Sequence, residues 1–350
     1  MRISLRRPFI SYSKTLPEAE KFFVHRRAIT PFNFPTHRFE ELIRKSFDSY
    51  QSTIQTEYYF KYAGRVAIEP VQGWAITAAN ELIYESIPFS QDRRINFPSF
   101  WRTSYLKSAG NKIHVPVAAS VRYSWQNYFH FLNDGIGQMY MLDDVGVPAN
   151  VPVVIPSFMR NSPFGRYMFE HHKIFRNRPI IFQEPGDIVL AEEAHFVKNI
   201  PNVTSHFRKT IDDLEVPLSK EEFPRKIFLT RKGTYQRNIA NADEAHQAMK
   251  DAGYAVVDAA QLDLPSQVRM FRQLTHIVGV HGAGLTNIVF GNRDLRVLEI
   301  FPSNSIPPHF FWLASGFGLD YNGVTHGREI NGEFRIEVDK LLTQIRHFDF

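Results

Sequence analysis

The last third of the chain carries the clearest alternation of apolar and polar positions, with short β-branched runs separated by stretches of helical period. Lys226 to Thr230 reads as a strand, Ala242 to Ala252 as a helix closed by Gly253, and Tyr254 to Val257 as the next strand. Pro265 to Leu274 predicts a second helix, His276 to Val280 a third strand, and Leu285 to Phe290 a short helix stopped at Gly291. Arg296 to Phe301 predicts a fourth strand and Pro307 to Ser315 a further helix. Strands alternating with helices in this manner predict a parallel, doubly wound sheet with ligands at the carboxyl ends of its strands.

Upstream the pattern is less regular. Val151 to Ile155 reads as a strand, and the aromatic-rich run Trp125 to Leu142 has the spacing of a buried helix, so a second α/β domain is expected. Phe39 to Phe47 looks helical, Arg65 to Ile76 looks strand-like, and the charged, proline-bounded stretch Pro217 to Pro224 is the linker candidate. The expected division is an N-terminal extension over 1–110, α/β domains over 111–218 and 219–330, and a C-terminal tail helix over 331–350.

Composition agrees with two lobes, because 350 residues exceed what one hydrophobic core usually holds. The chain is 43% hydrophobic and 22% charged, which is globular, and its net charge of +5 favours anionic partners. No run of five or six consecutive basic residues occurs, which argues against nucleic acid as a partner. With no cysteine there is neither a disulfide nor a thiolate metal site. No apolar run approaches the roughly 18 residues of a membrane span, and Met1 to Ile10 has too few apolar residues for a signal-peptide core. The expected location is the cytoplasm. Arg2, Arg6 and Arg7 beside Phe9 and Ile10 offer peripheral contact with an anionic inner membrane face, and a solvated terminus is the competing reading.

The chemistry collects at strand ends. VGVHGAGLTN, from Val278 to Asn287, puts His281, Gly282, Ala283 and Gly284 between a buried strand and a helix start, where backbone NH groups can approach a phosphate. A plain strand-to-helix turn competes evenly, and the glycines form only a broken dinucleotide fingerprint on a late strand. FLTRKGTYQR, from Phe228 to Arg237, ends another strand in Arg231, Lys232 and Arg237, cations suited to a diphosphate or merely to solvent. Glu299, in the run VLEIF, sits where a carboxylate could accept ribose hydroxyls or pair with a cation. WQNYFHFLND places Asn127, His130 and Asp134 at intervals of three and four, on one face of a helix, and a polar stripe there needs partners or a catalytic task. No D-x-D or other metal-ligand spacing occurs, so the cations would have to neutralise a leaving diphosphate.

Three blocks, Asn127 to Asp134, Ile227 to Asn241 and Val278 to Phe290, resemble glycosyltransferase family 61. That family takes in plant xylan-modifying, animal O-linked N-acetylglucosaminyl and bacterial capsule or lipopolysaccharide enzymes. The resemblance covers roughly Lys112 to Gly327. It implies an α/β chain of the GT-B type, two facing Rossmann-like domains, inverting at the anomeric carbon with no metal or other cofactor. The donor would be a nucleotide-diphosphate sugar, UDP-linked, held by 219–330. Arg231 and Arg237 would meet the diphosphate, His281 and Gly282 to Gly284 would cradle it, and Glu299 would face the nucleoside. The acceptor, a glycan or lipid-linked glycan, would belong to 111–218 together with 1–110. Asp134 or His130 would be the base beside Asn127, and the match does not choose between them. The lack of an N-terminal anchor points to a bacterial enzyme of surface-polysaccharide synthesis. Competing readings are a non-catalytic glycan- or nucleotide-binding subunit of a polysaccharide assembly complex and a nucleotide-sugar epimerase.

Overall fold

The structure, a computed structural model, describes residues 9–10, 24–29, 36–51, 55–69, 73–78, 82–83, 86, 111–121, 126–198, 204–231 and 233–348. Arg2, Arg6, Arg7, Trp125 and Lys232 lie outside the described residues. The chain divides into two compact units, Met1–Ile29 with Thr56–His206 and Thr30–Gln55 with Phe207–Phe350. Both are α/β and both contain parallel sheet.

The first unit is built on β1 (Phe9–Ile10), β2 (Val24–Ile29), β3 (Gln55–Ile68), β4 (Ala75–Thr77), β5 (Leu82–Ile83), β6 (Lys112–Ser120), β7 (Val153–Pro156), β8 (Ile180–Gln183) and β9 (Ile188–Lys198). They form one sheet in the order β1-β5-β4-β3-β9-β6-β7-β8, with β2 on β3. The half made by β9, β6, β7 and β8 is parallel, as an α/β domain requires. β3, however, pairs antiparallel with both β9 and β4, so the sheet is mixed rather than Rossmann-like throughout. Its core is the aliphatic and aromatic row Phe60, Val66, Ile68, Val154, Val189 and Phe196. Arg178 closes one edge: its buried guanidinium donates to Pro148 O at 2.8 Å, Val147 O at 3.1 Å and Asp143 Oδ1 at 2.6 Å. A buried cation with both terminal nitrogens engaged in this way is structural.

The second unit contains β10 (Lys226–Leu229), β11 (Asn238–Ile239), β12 (Ala255–Val257), β13 (His276–Val280), β14 (Arg296–Pro302), β15 (Asp320–His326) and β16 (Glu333–Phe334). Five of them make a parallel sheet in the order β12-β10-β13-β14-β15. The expected strands and helices from Lys226 to Ser315 form within a residue or two of the expected limits. Local chemistry explains the stops. Gly253 and Gly318 take left-handed conformations after the helices Ala242–Asp251 and His309–Phe317, where other residues are strained. Asp263 caps Leu264–Gln273 by accepting from Ser266 N at 2.8 Å.

Three assignments differ from expectation, the first being that the second unit resumes at Phe207 and so takes in 207–218. Residues 30–55 belong to the second unit, not to an extension allied with 111–218. Phe39, Ile43 and Phe47 recur every fourth residue and bury one stripe at the start and along the face of the helix Glu41–Gln51. Phe47 stacks on Phe311 at 4.9 Å, and Phe39 meets Tyr321 edge-on at 6.0 Å. Each fully buried side chain of this size contributes about 1.5–3 kcal/mol, enough to fix the segment there. The segment 331–350 is not a tail either. Asn241 exchanges hydrogen bonds with Ile336, and the helix Val338–His347 buries Leu341 and Ile345 in a core shared with Met249 and Phe228. Among the described residues no helix is long and apolar enough to cross a membrane.

Candidate functional site

Numbered along the chain, the five parallel strands of the second unit run in the order 2-1-3-4-5, so the direction in which strands are added across the sheet reverses between β10 and β13. At such a switch point the loops leave in opposite directions and open a crevice at the strand ends. Arg231 stands two residues beyond β10, and His281 directly beyond β13, on adjacent strands. The sequence-predicted glycine turn and cationic loop therefore meet here.

They meet in contact. A Cβ built on Gly282 would lie 2.0 Å from Nη1 of Arg231, so the guanidinium rests against the bare backbone of the glycine. Gly282 has an extended backbone, with φ of 176°, and it is close approach rather than conformation that requires glycine. Ala283 and Gly284 open a 3-10 helix, Ala283–Phe290, in place of the expected α-helical start. Arg231 is braced from behind, Nε donating to Thr234 Oγ1 and Gln236 O at 2.9 Å each. Arg237 has a left-handed backbone, φ 59°, held where its N–H donates to Glu329 Oε1 at 3.0 Å. Its side-chain Nε has no hydrogen-bond partner among the described residues.

Neither guanidinium forms an ion pair among the described residues, whereas Arg178, Arg269 and Arg335 each hold a carboxylate within 4.0 Å. Burial, then the charge of Arg237, lowers Arg231 to about 10 against the pull of Glu329. Burial likewise lowers Arg237, opposed by Glu329 and Glu299. Two half-buried cations whose charges disfavour each other would be stabilised by an anion placed beside them.

Glu299 has no solvent-exposed surface to offer that crevice, although its charge acts on Arg237. It is fully buried, its Oε1 hydrogen-bonded to His281 Nδ1 and its Oε2 accepting from the Tyr321 hydroxyl. Both of its carboxylate oxygens thus hold internal partners, and Glu299 sets the ring orientation of His281. Burial, followed by the charges of Arg237 and Arg231, holds His281 well below the ordinary histidine value, so the ring is neutral at neutral pH. Burial pushes Glu299 well up, opposed by the Tyr321 hydrogen bond and Arg237. His281 packs against Phe301 and Phe310.

In the first unit, Asn127 is not on the helix face but at its N-cap, where Oδ1 accepts from Phe129 N at 3.0 Å and His130 N at 3.4 Å. Behind it the helix widens into a π-helical turn, Phe131–Ile136, all six residues buried. Such turns are frequent at functional sites. His130 Nδ1 is hydrogen-bonded to Asp134 Oδ2 at 2.6 Å, and Asn133 Nδ2 donates to Asp134 Oδ1 at 2.9 Å. The side chain of His130 is 31% exposed and that of Asp134 only 11%. Burial raises Asp134 against the opposing effects of His130 and Asn133. A carboxylate behind an imidazole is the arrangement that orients a general base.

Residues 128–298 match the family model described as Glycosyltransferase 61. Over 102 residues the chain is 34% identical to a beta-1,2-xylosyltransferase of Oryza sativa subsp. japonica, covering 26% of this chain and 19% of the relative. A beta-1,2-xylosyltransferase of Arabidopsis thaliana is 33% identical over 87 residues, covering 25% of this chain and 14% of the relative. The chain thus spans about a fifth or less of the length of these curated relatives. They are plant proteins and lend no support to a bacterial capsule or lipopolysaccharide setting. The matched segment includes His130, Asp134, Arg231, Arg237 and His281 and stops one residue short of Glu299. Tyr321 and Glu329 were not singled out in the sequence. Each lies on an element, β15 or the turn after it, whose pairing with the site is non-local.

Proposed function

We propose that the chain is a glycosyltransferase that moves a sugar, a pentose such as xylose, from a UDP-linked donor to a glycan acceptor with inversion. The observation that carries this is a pair of arginines without ion-pair partners among the described residues, Arg231 seated against Gly282 at the switch point of the second sheet and Arg237 close enough for its charge to act on Arg231. A leaving nucleoside diphosphate develops negative charge as the glycosidic bond breaks, and two half-buried guanidiniums stabilise it without a metal ion. His130 removes the proton from the acceptor hydroxyl, and Asp134, buried behind it, positions the ring and stabilises the imidazolium that forms. In this reading the chain is of the GT-B type, the second unit holding the donor and the first supplying the base. The xylosyl transfer named for the plant relatives motivates the choice of pentose.

The test is a transfer assay with UDP-xylose, UDP-arabinose and UDP-N-acetylglucosamine on xylan oligosaccharides in EDTA. Transfer from one donor with inverted anomeric configuration is expected, a β-linked product from UDP-xylose or UDP-N-acetylglucosamine and an α-linked one from UDP-arabinose, and His130→Ala should lower kcat by roughly a hundredfold or more while leaving UDP affinity unchanged. Full turnover in His130→Ala removes that residue as base, and donor epimerisation without acceptor replaces the transferase reading altogether.

A further inference from the structure

β12, β10 and β13 lie side by side in the sheet, in that order. β10 leads to the arginines and β13 to the His281–Gly284 turn, while the end of β12 has so far no task. Thr230 N donates to Val257 O at 2.9 Å, so the ladder between β10 and β12 runs to the residue before Arg231 on one strand and before Asp258 on the other. The Asp258 carboxylate is anchored there, half-buried, Oδ1 accepting from Ala260 N at 3.0 Å and Oδ2 from Gln261 Nε2 at 3.3 Å. Its neighbour Ala259 is buried beside the glycine turn: a Cβ built on Gly284 would lie 3.8 Å from Ala259 Cβ and 3.3 Å from Leu229 Cδ2. The turn bearing Asp258 and the turn facing Arg231 therefore adjoin over the end of β10.

We propose that Asp258 is the carboxylate that accepts the ribose hydroxyls of the bound nucleoside diphosphate, the task from which burial removes Glu299. This rests on the reading of Arg231 and Gly282 as the diphosphate site. In Rossmann-type sheets the phosphates sit at the turn after the first strand and an acid following the next strand receives the ribose; here the Arg231 turn follows the first strand, with the glycine turn contributed by the third. Asp258 ends the second strand of this sheet. Each carboxylate oxygen has two lone pairs, so the bonds to Ala260 and Gln261 leave acceptor capacity for two hydroxyls.

The experiment is calorimetric titration of the full chain, Asp258→Ser and Asp258→Asn with UDP, 2′,3′-dideoxy-UDP and inorganic pyrophosphate. Serine and asparagine both cap the turn at Ala260, so the fold is kept, and equal melting temperatures verify it. Serine is too short to reach a ribose, and asparagine keeps the length without the charge. The wild-type protein should prefer UDP to the dideoxy nucleotide. Asp258→Ser should lose about tenfold in UDP affinity, Asp258→Asn less, and both should bind pyrophosphate and dideoxy-UDP as the wild type does. Unchanged UDP affinity in Asp258→Ser, with wild-type preference intact, overturns the assignment and leaves the diphosphate site standing. Failure of the wild-type protein to bind either UDP or pyrophosphate overturns the diphosphate site and this proposal with it.

Discussion

His281 is tied through Nδ1 to Oε1 of Glu299, a carboxylate with no solvent exposure whose other oxygen receives the hydroxyl of Tyr321. Removing the middle member strands both outer groups. Glu299→Ala should cost about 2–4 kcal/mol of stability, since two buried polar groups lose their partner at once. Glu299→Gln retains an acceptor and a donor and should cost less, and Tyr321→Phe, which deletes only one donor, should cost about 1 kcal/mol. Chemical denaturation of the three variants gives the order. A Glu299→Ala protein as stable as the wild type would show the trio to be dispensable.

The strands and helices from Lys226 to Ser315 were legible because each is local: periodicity, a cap and a stop glycine lie within one short window. The convergence of Arg231 and Gly282 followed from topology, since both leave carboxyl ends of neighbouring parallel strands. What stayed hidden depends on distant pairing. Glu299 looks like a strand-end ligand until Tyr321, 22 residues on, and His281, 18 residues back, are seen to occupy both its oxygens. Asn127 shares its spacing with His130 and Asp134, yet an N-cap and a helix-face residue look alike in sequence. Phe39, Ile43 and Phe47 announce a buried stripe without saying which core it joins, and the partners Phe301, Phe311 and Tyr321 lie more than 250 residues away.

Gly282→Ala isolates the contact between the glycine turn and Arg231. The extended backbone at this position accepts alanine without strain, so the melting temperature should barely change. The new methyl group would stand 2.0 Å from the present position of Nη1 and must push the guanidinium aside. UDP affinity should fall roughly tenfold, the loss of one charge-assisted contact. Unimpaired binding would mean that Arg231 does not need its present seat.

Acid should weaken the second unit through His326. Burial, together with the charge of Lys340 and against the opposing effect of the Gln344 side chain, lowers this histidine to about 4. In the unfolded chain it titrates near 6.5, so between those values the unfolded state binds a proton that the folded state refuses. The stability of the neutral, buried ring is thus fully present above pH 6.5 and is lost as the pH falls towards 4, by up to about 3 kcal/mol. Denaturant midpoints for the wild type and His326→Gln at pH 7.5 and pH 4.5 should converge towards low pH. Parallel profiles would remove His326 as the cause.

The most direct measurement is titration of the wild-type protein and Arg231→Ala with UDP in EDTA. Binding by the wild-type protein, weakened roughly tenfold to a hundredfold in the variant and accompanied by a matching loss for pyrophosphate, is the expected result. Equal affinity in the two proteins, or binding that disappears with EDTA, would contradict an arginine-based, metal-free diphosphate site.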